Sequence, residues 1–259
     1  FLPHVSGGIY TCLDRDGKLM DSTKSVWFQG RFGFIASYAY NHIEKKQEWL
    51  AASKSCIDFI ETHCTDIDGH LFFEVTEEGI PLRKRRYVFS ECFAAIAMSE
   101  YAIASGDKSY ATKALEIFKR TLKFLSTPGF LEPKYLPTLQ SRGHSITMIL
   151  INTASRIREV IEDPVLDRQI NESLTSIRQY FMHPEFKALL EMVGPKGELI
   201  DTCNGRTINP GHCIETSWFI MEEARHRNWD KDLVQLALQI LDWSWEWGWD
   251  KEYLSLIHI

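Results

Sequence analysis

None of the six cysteines (Cys12, Cys56, Cys64, Cys92, Cys203 and Cys213) stands in a C-x-x-C pair. That spacing excludes a zinc ribbon and a dithiol redox motif. Basic residues are not in excess: 29 Lys and Arg stand against 35 Asp and Glu, a net charge of -6. Without surplus cations a phosphate backbone cannot be neutralised, so no nucleic-acid partner is expected. The chain shows no P-loop pattern and no apolar run long enough to span a bilayer, and no signal peptide is expected. Scattered cysteines in a chain of this length fit buried thiols in a reducing compartment, and the expectation is a cytoplasmic protein with no membrane partner. Metal chemistry is not expected either. His-x-x-Glu at His212 and Glu215 is a ligand spacing known in helical bundles, but no further ligands accompany it.

What the chain does have is ordinary globular composition, 44% hydrophobic and 25% charged, with eight tryptophans. That many indoles suit a thick core or a surface that stacks on sugars. The basic run Arg83-Lys-Arg-Arg86 reads as a solvated loop. Apolar periodicity near 3.6 predicts eight helices, over 24–44, 46–64, 88–105, 107–126, 144–162, 164–182, 212–228 and 230–247. The second is marked by Trp49, Leu50, Ala52, Ser53, Cys56, Ile57, Phe59 and Ile60, with Lys and Glu between them. The sixth has Asp163 placed as N-cap and Pro164 at the first helical position. Helix five, Ile146-Thr-Met-Ile-Leu-Ile151, is apolar all round and predicts burial.

Three strand-like pieces run into turn residues, and each predicts a hairpin with Gly where φ must be positive. They are Gly8–Leu13 into Asp14-Arg-Asp-Gly17, Leu71–Val75 into Glu77-Glu-Gly79, and Leu189–Val193 into Gly194-Pro-Lys-Gly197. The unit of helix, helix and hairpin therefore recurs in imperfect copies. Such units bury their apolar faces only by stacking, as an open solenoid or a closed ring. Odd-numbered helices start straight after the loops and mix polar and aromatic residues into apolar stretches: Trp27, Gln29 and Arg31; Phe89 and Glu91; His144; His212, Glu215 and Trp218. Even-numbered helices are more plainly amphipathic. An inner layer presenting polar starting turns to a central cup favours the ring, an α/α toroid. The alternating series Trp243, Trp245, Trp247 and Trp249 cannot all face one side of a helix, so some must face outward or lie in an extended end.

Four stretches carry a family resemblance: Gly7-Gly-Ile-Tyr-Thr-Cys-Leu-Asp-Arg-Asp-Gly17, Val26-Trp-Phe-Gln-Gly-Arg31, Phe89-Ser-Glu91 and Asn209-Pro-Gly-His-Cys-Ile-Glu-Thr-Ser-Trp218. In these the sequence resembles the N-acylglucosamine 2-epimerase family over about residues 1–253. The resemblance implies an all-α (α/α)6 barrel, here incomplete with about eight helices plus short β-hairpins, over a domain of residues 1–253. It implies inversion at C2 of a reducing sugar after ring opening, interconverting N-acetylglucosamine and N-acetylmannosamine. Mannose isomerisation and cellobiose 2-epimerisation are the alternatives within the family, and a non-catalytic toroid binding sugar or protein is the alternative outside it. Family members use two histidines on opposite faces of the sugar, and His212 matches the first. Arg31 matches an arginine near O1 or O5, and Glu215 a glutamate beside the histidine. The resemblance also implies ATP as an activator rather than a reactant, no required cofactor, and a homodimer.

The residue types suit that chemistry on their own account. A C2 proton is removable once C1 is an aldehyde, because the carbanion is then an enediolate; the base needs a pKa near working pH, as imidazole has. A permanently charged Arg stabilises the developing oxyanion. A carboxylate at i+3 shares a helix face with His212. Simpler readings compete at each position. His212 also reads as a helix-start residue after Pro210-Gly211, Arg31 as an ion-pair partner of Glu91, and Glu91 as structural. For His144 the competing role is core or capping, and for Trp27 and Trp218 it is core packing against sugar stacking. Gln29 joins Arg31, Glu215, Trp27, Trp218, Glu91 and His144 as a candidate substrate contact.

Eight helices are fewer than twelve. Residues 1–5 read as the tail of an earlier helix, and residues 254–259 as a non-native tail, so His258 is not taken for the second histidine. That second base is expected beyond this chain. The 259-residue chain is accordingly expected to be unstable or unable to epimerise, and robust epimerisation by the purified chain would refute that expectation.

Overall fold

A computed structural model describes residues 6–84, 87–133 and 135–257. The readings placed on residues 1–5, 85–86 and 258 fall outside that range. The chain divides into two compact units, residues 1–134 with 156–163, and residues 135–155 with 164–259.

The first unit opens with the hairpin of β1 (Cys12–Leu13) and β2 (Leu19–Asp21). Its turn is tied by Asp14 accepting from the N–H groups of Asp16 and Lys18, with Gly17 at positive φ. β3 (Lys24–Ser25) leads into α1 (Val26–His42), followed by α2 (Gln47–His63). The second hairpin, β4 (Glu74–Val75) and β5 (Pro81–Arg83), joins β3 in a three-stranded sheet. α3 (Phe89–Ser105) and α4 (Ser109–Ser126) complete it. α1 packs on α2 and α3, and α3 on α4. α3 is buried without a break from Ser90 to Ala102, the mark of an inner helix, whereas α4 buries one stripe from Tyr110 to Phe124. Full burial of a side chain such as Phe118 contributes about 1.5–3 kcal/mol.

The α1–α3 seam depends on a missing side chain. A Cβ at Gly30 would stand 2.7 Å from the Phe93 backbone, so only glycine allows this approach.

The second unit comprises β6 (Arg142–Gly143), α5 (His144–Arg158) as far as Ser155, α6 (Pro164–Ser176), β7 (Met182–His183), β8 (Ala188–Leu189), β9 (Met192–Val193), α7 (Pro210–His226), α8 (Lys231–Gly248), β10 (Trp249–Asp250) and β11 (Ser255–Leu256). α6 begins at Pro164 as expected and ends in a π-helical turn, Ile177–Phe181. In α5, Met148, Ile149, Leu150 and Ile151 are all buried, as its apolar run predicts. α7 packs on α8.

One expectation needs correction, and the tryptophan series is arranged as expected. The third strand-like piece is not a simple hairpin. Its halves split, β8 pairing with β7 and β9 pairing with β6, while the turn at Gly194–Gly197 closes on Glu198. The tryptophan series runs along α8 into β10. Trp243 is buried, Trp245 and Trp247 are about half exposed, and Trp249 stacks on Trp245. All six cysteines are free, four of them buried, with Cys12 and Cys203 exposed. Among the described residues no helix is long and apolar enough to cross a membrane.

Gly30→Ala is expected to lower unfolding stability by about 1–3 kcal/mol through overpacking against Phe93. Gly143→Ala, whose Cβ meets nothing within 4 Å, should stay near wild type; denaturant melts of the two variants check the contrast.

Candidate active site

The first turn of α7 fixes His212. Asn209 is the N-cap, its Oδ1 accepting from the His212 N–H at 3.2 Å, and Pro210 takes the first helical position. The end of α8 backs this turn, since a Cβ at Gly248 would stand 2.5 Å from Pro210 Cβ. The imidazole is about one-third exposed. Its Nδ1 lies 3.0 Å from Glu191 Oε2.

Glu191 sits between β8 and β9, and both of its backbone groups are used. Its N–H donates to the Thr207 carbonyl at 3.2 Å, and its carbonyl accepts from the His144 N–H at 3.0 Å. Burial pushes the carboxyl up, but the two imidazoles of His144 and His212 facing it bring it down to about 2. It is therefore ionised, and His212 donates its Nδ1 proton to it. That leaves Nε2 as the nitrogen free to accept a proton, the tautomer a general base needs. The hydrogen bond to Glu191 raises the His212 pKa above the ordinary imidazole value against the opposing effect of burial, and the charge of Glu215 adds a smaller push in the same direction.

The carboxylate that orients His212 is thus Glu191, not Glu215 at i+3. Glu215 is exposed on the same helix, as is Trp218, and both are free to meet a ligand. His144 is fully buried, its Nε2 2.9 Å from Thr216 Oγ1 and its Nδ1 3.6 Å from Glu191. A direct substrate contact from His144 is corrected to a role behind His212.

The candidates of the first unit separate in the same way. Arg31 is exposed, its guanidinium 4.4 Å from the centre of the Phe93 ring. Gln29 is not available to a sugar: it is fully buried, accepting from the Ile9 N–H and donating to the Ile9 carbonyl, which pins the leading segment to α1. Glu91 is also fully buried. It accepts from the Leu71 N–H at 2.6 Å and faces His70 at 3.3 Å, and burial raises its pKa. The ion-pair partner anticipated for Glu91 was Arg31; the structure supplies His70, and a substrate contact is corrected to a structural one. Trp27 is half-buried and packs among Phe73, Phe89 and Phe93 with its Nε1 buried. In the basic run, Lys84 is held at 2.6 Å by both Asp66 and Asp68. Among the described residues no group of three or more His, Cys, Asp or Glu is arranged to hold a metal ion.

Sequence reasoning missed Glu191. The available signal was a single charge inside the apolar run Leu189-Leu-Glu-Met-Val193, since a buried carboxylate needs a partner.

The paired shifts set a stability window. Glu191 is depressed, so its contribution is complete above its unfolded value of 4.5 and is lost as pH falls toward about 2. His212 is raised, so its contribution is complete below 6.5 and is lost as pH rises through its elevated folded value. The melting-temperature gap between wild type and Glu191→Gln should be widest between these two values and shrink on either side. NMR titration should place His212 above 6.5 in wild type and lower in the variant; an unchanged His212 titration would sink the orienting role of Glu191.

Residues 8–259 match the model of the N-acylglucosamine 2-epimerase (GlcNAc 2-epimerase) family. The chain is 28% identical to N-acylglucosamine 2-epimerase of Bos taurus over 97% of its own length and 61% of the relative's, so it spans about three fifths of that protein. In fold it is similar to cellobiose 2-epimerase from Bacillus thermoamylovorans, with a TM-score of 0.86 at 19% identity over 99% of this chain and 70% of the other. It is likewise similar to a D-mannose isomerase, with a TM-score of 0.79 at 15% identity over 99% and 69%. The helices are those of the (α/α)6-barrel class, and the chain belongs to the N-acylglucosamine 2-epimerase family.

Proposed function

We propose that the chain carries one proton-transfer face of a sugar 2-epimerase, with N-acetylglucosamine and N-acetylmannosamine as the pair interconverted. The observation that carries this reading is the His212–Glu191 pair, an oriented imidazole about one-third exposed with Nδ1 engaged and an elevated pKa. Nε2 takes the C2 proton of the open-chain aldose, and the electron pair of the C–H bond moves into the C1 carbonyl to give an enolate, or an enediolate where C2 carries a hydroxyl in place of the acetamido group. Glu191 stabilises the imidazolium that forms. Return of a proton to the opposite face of C2 completes the inversion and needs a second acid. Glu215 and Trp218, exposed along α7 beyond His212, are the proposed sugar contacts. This chemistry requires no metal or cofactor; activation by a nucleotide and assembly as a homodimer belong to the same reading.

A second reading has support from the fold neighbours. The mannose isomerase and the cellobiose epimerase use the same scaffold, and aldose–ketose isomerisation begins with the same abstraction at C2.

One base suffices to exchange the C2 proton with solvent, even where inversion needs two. In D2O the chain is therefore expected to place deuterium at C2 of an N-acetylhexosamine, read by proton NMR, and His212→Asn should slow this by roughly 10²-fold or more. Exchange that survives the substitution would overturn the assignment of His212. Exchange confined to mannose with fructose formed would favour the isomerase, and sugar binding without exchange a non-catalytic module.

A further inference from the structure

The hydrogen bonds of Thr216 fix where the proton lies between it and His144. Thr216 Oγ1 lies 2.8 Å from the His212 carbonyl oxygen and 2.9 Å from His144 Nε2. A carbonyl accepts only, and two oxygens 2.8 Å apart repel unless a hydrogen lies between them. The single hydroxyl proton of Thr216 must therefore point to His212. Thr216 can then only accept from the imidazole, so His144 carries its proton on Nε2.

We infer that His144 is a positioning residue for His212, acting through Thr216. The chain runs from His144 Nε2–H to the Thr216 hydroxyl and on to the His212 carbonyl. Glu191 closes the circuit: His212 Nδ1–H donates to its carboxylate, and the His144 backbone N–H donates to its carbonyl at 3.0 Å. The loop fixes His212 at two points, the carbonyl that sets its place on the helix and the ring nitrogen that sets its rotation. His144 itself is anchored by full burial, with its ring edge-on to Phe181 at 5.6 Å. Around it stand Glu191, His212, Thr216 and Phe181. Its Nδ1 faces the carboxylate oxygen that His212 uses, at 3.6 Å, which is beyond a hydrogen bond.

The competing arrangement reverses the relay. Thr216 would donate to His144 Nε2, His144 would carry its proton on Nδ1, and the 2.8 Å contact to the His212 carbonyl would hold no hydrogen. This inference rests on the reading of His212 as the proton-transfer residue, but its test needs no turnover.

The experiment is long-range proton–nitrogen correlation NMR on the whole chain labelled with ¹⁵N-histidine, in wild type, Thr216→Val and Thr216→Ser. The expected wild-type result is a protonated, pyrrole-like Nε2 on His144, with a proton on Nδ1 of His212 and a bare Nε2 at alkaline pH. In Thr216→Val the His144 Nε2 proton should exchange with solvent about tenfold faster and the His212 ring shifts should move, while Thr216→Ser restores both. A bare, pyridine-like Nε2 on His144 would overturn the proposal, as would a Val variant whose His212 shifts match wild type. Should the Val variant not fold, the wild-type tautomer alone decides. If the tautomers are as stated but no sugar exchanges at C2, the proposed function fails while the relay stands.

Discussion

The contact on which the proposed chemistry turns is the 3.0 Å hydrogen bond from His212 Nδ1 to the Glu191 carboxylate. An imidazole by itself offers two equivalent-looking nitrogens and a pKa that drifts with its surroundings. Glu191 removes that ambiguity. It selects the tautomer, holds the ring's rotation and keeps a negative charge where an imidazolium would form. Its own ionisation is secured because imidazoles face it on two sides, outweighing the cost of burial. Neither residue would serve alone: an unpaired carboxylate at that depth would be driven neutral, and an unpaired imidazole would leave its proton uncommitted.

The surrounding structure can be understood as what it takes to place those two side chains. Glu191 stands where two short strand pairs meet, β8 with β7 and β9 with β6. Its backbone reaches the start of α5 on one side and the loop before α7 on the other. The π-helical turn at Ile177–Phe181 ends α6 and sends the Phe181 carbonyl to the Leu190 N–H, just before Glu191. π-turns of this kind often mark functional positions. The first unit meets its own demands by simpler means, with tight helix seams and short hairpins, and its buried polar groups are mostly consumed within it. Gln29 binds Ile9, Glu91 binds Leu71, and Lys24 is enclosed by Ser6, Gly7 and Glu77.

The helices were legible in the sequence because periodicity is a local property. All eight fall within a few residues of their expected spans, and Pro164 begins α6 where its fixed φ suits a first helical turn. The hairpins at Gly17 and Gly79 were legible for the same reason, since their turn residues lie side by side in the chain. The errors came where a residue's partner is remote. Gln29 in an apolar helix looks like a site residue until its amide is seen to complete the backbone of Ile9, twenty positions away. Glu91 looks like a partner for Arg31 until His70 arrives from a different loop. Glu191 escaped notice because its strand was taken for half of one hairpin, whereas it borders two sheets. Motif reasoning singles out His212; only packing reveals the carboxylate behind it.

Gly248 has a consequence for how this site tolerates change. It carries no chemistry and touches no substrate candidate, yet its hydrogen rather than a methyl group lets Pro210 lie against the end of α8. The next segment is also fastened there, the Ile257 N–H donating to the Gly248 carbonyl at 2.7 Å. A side chain at this position would collide with Pro210 at 2.5 Å, in the helical turn that carries His212, while leaving every polar group of the pair intact. The repertoire of sequences compatible with this chemistry is narrowed as firmly by the absence of an atom at Gly248 as by the presence of a carboxylate at Glu191.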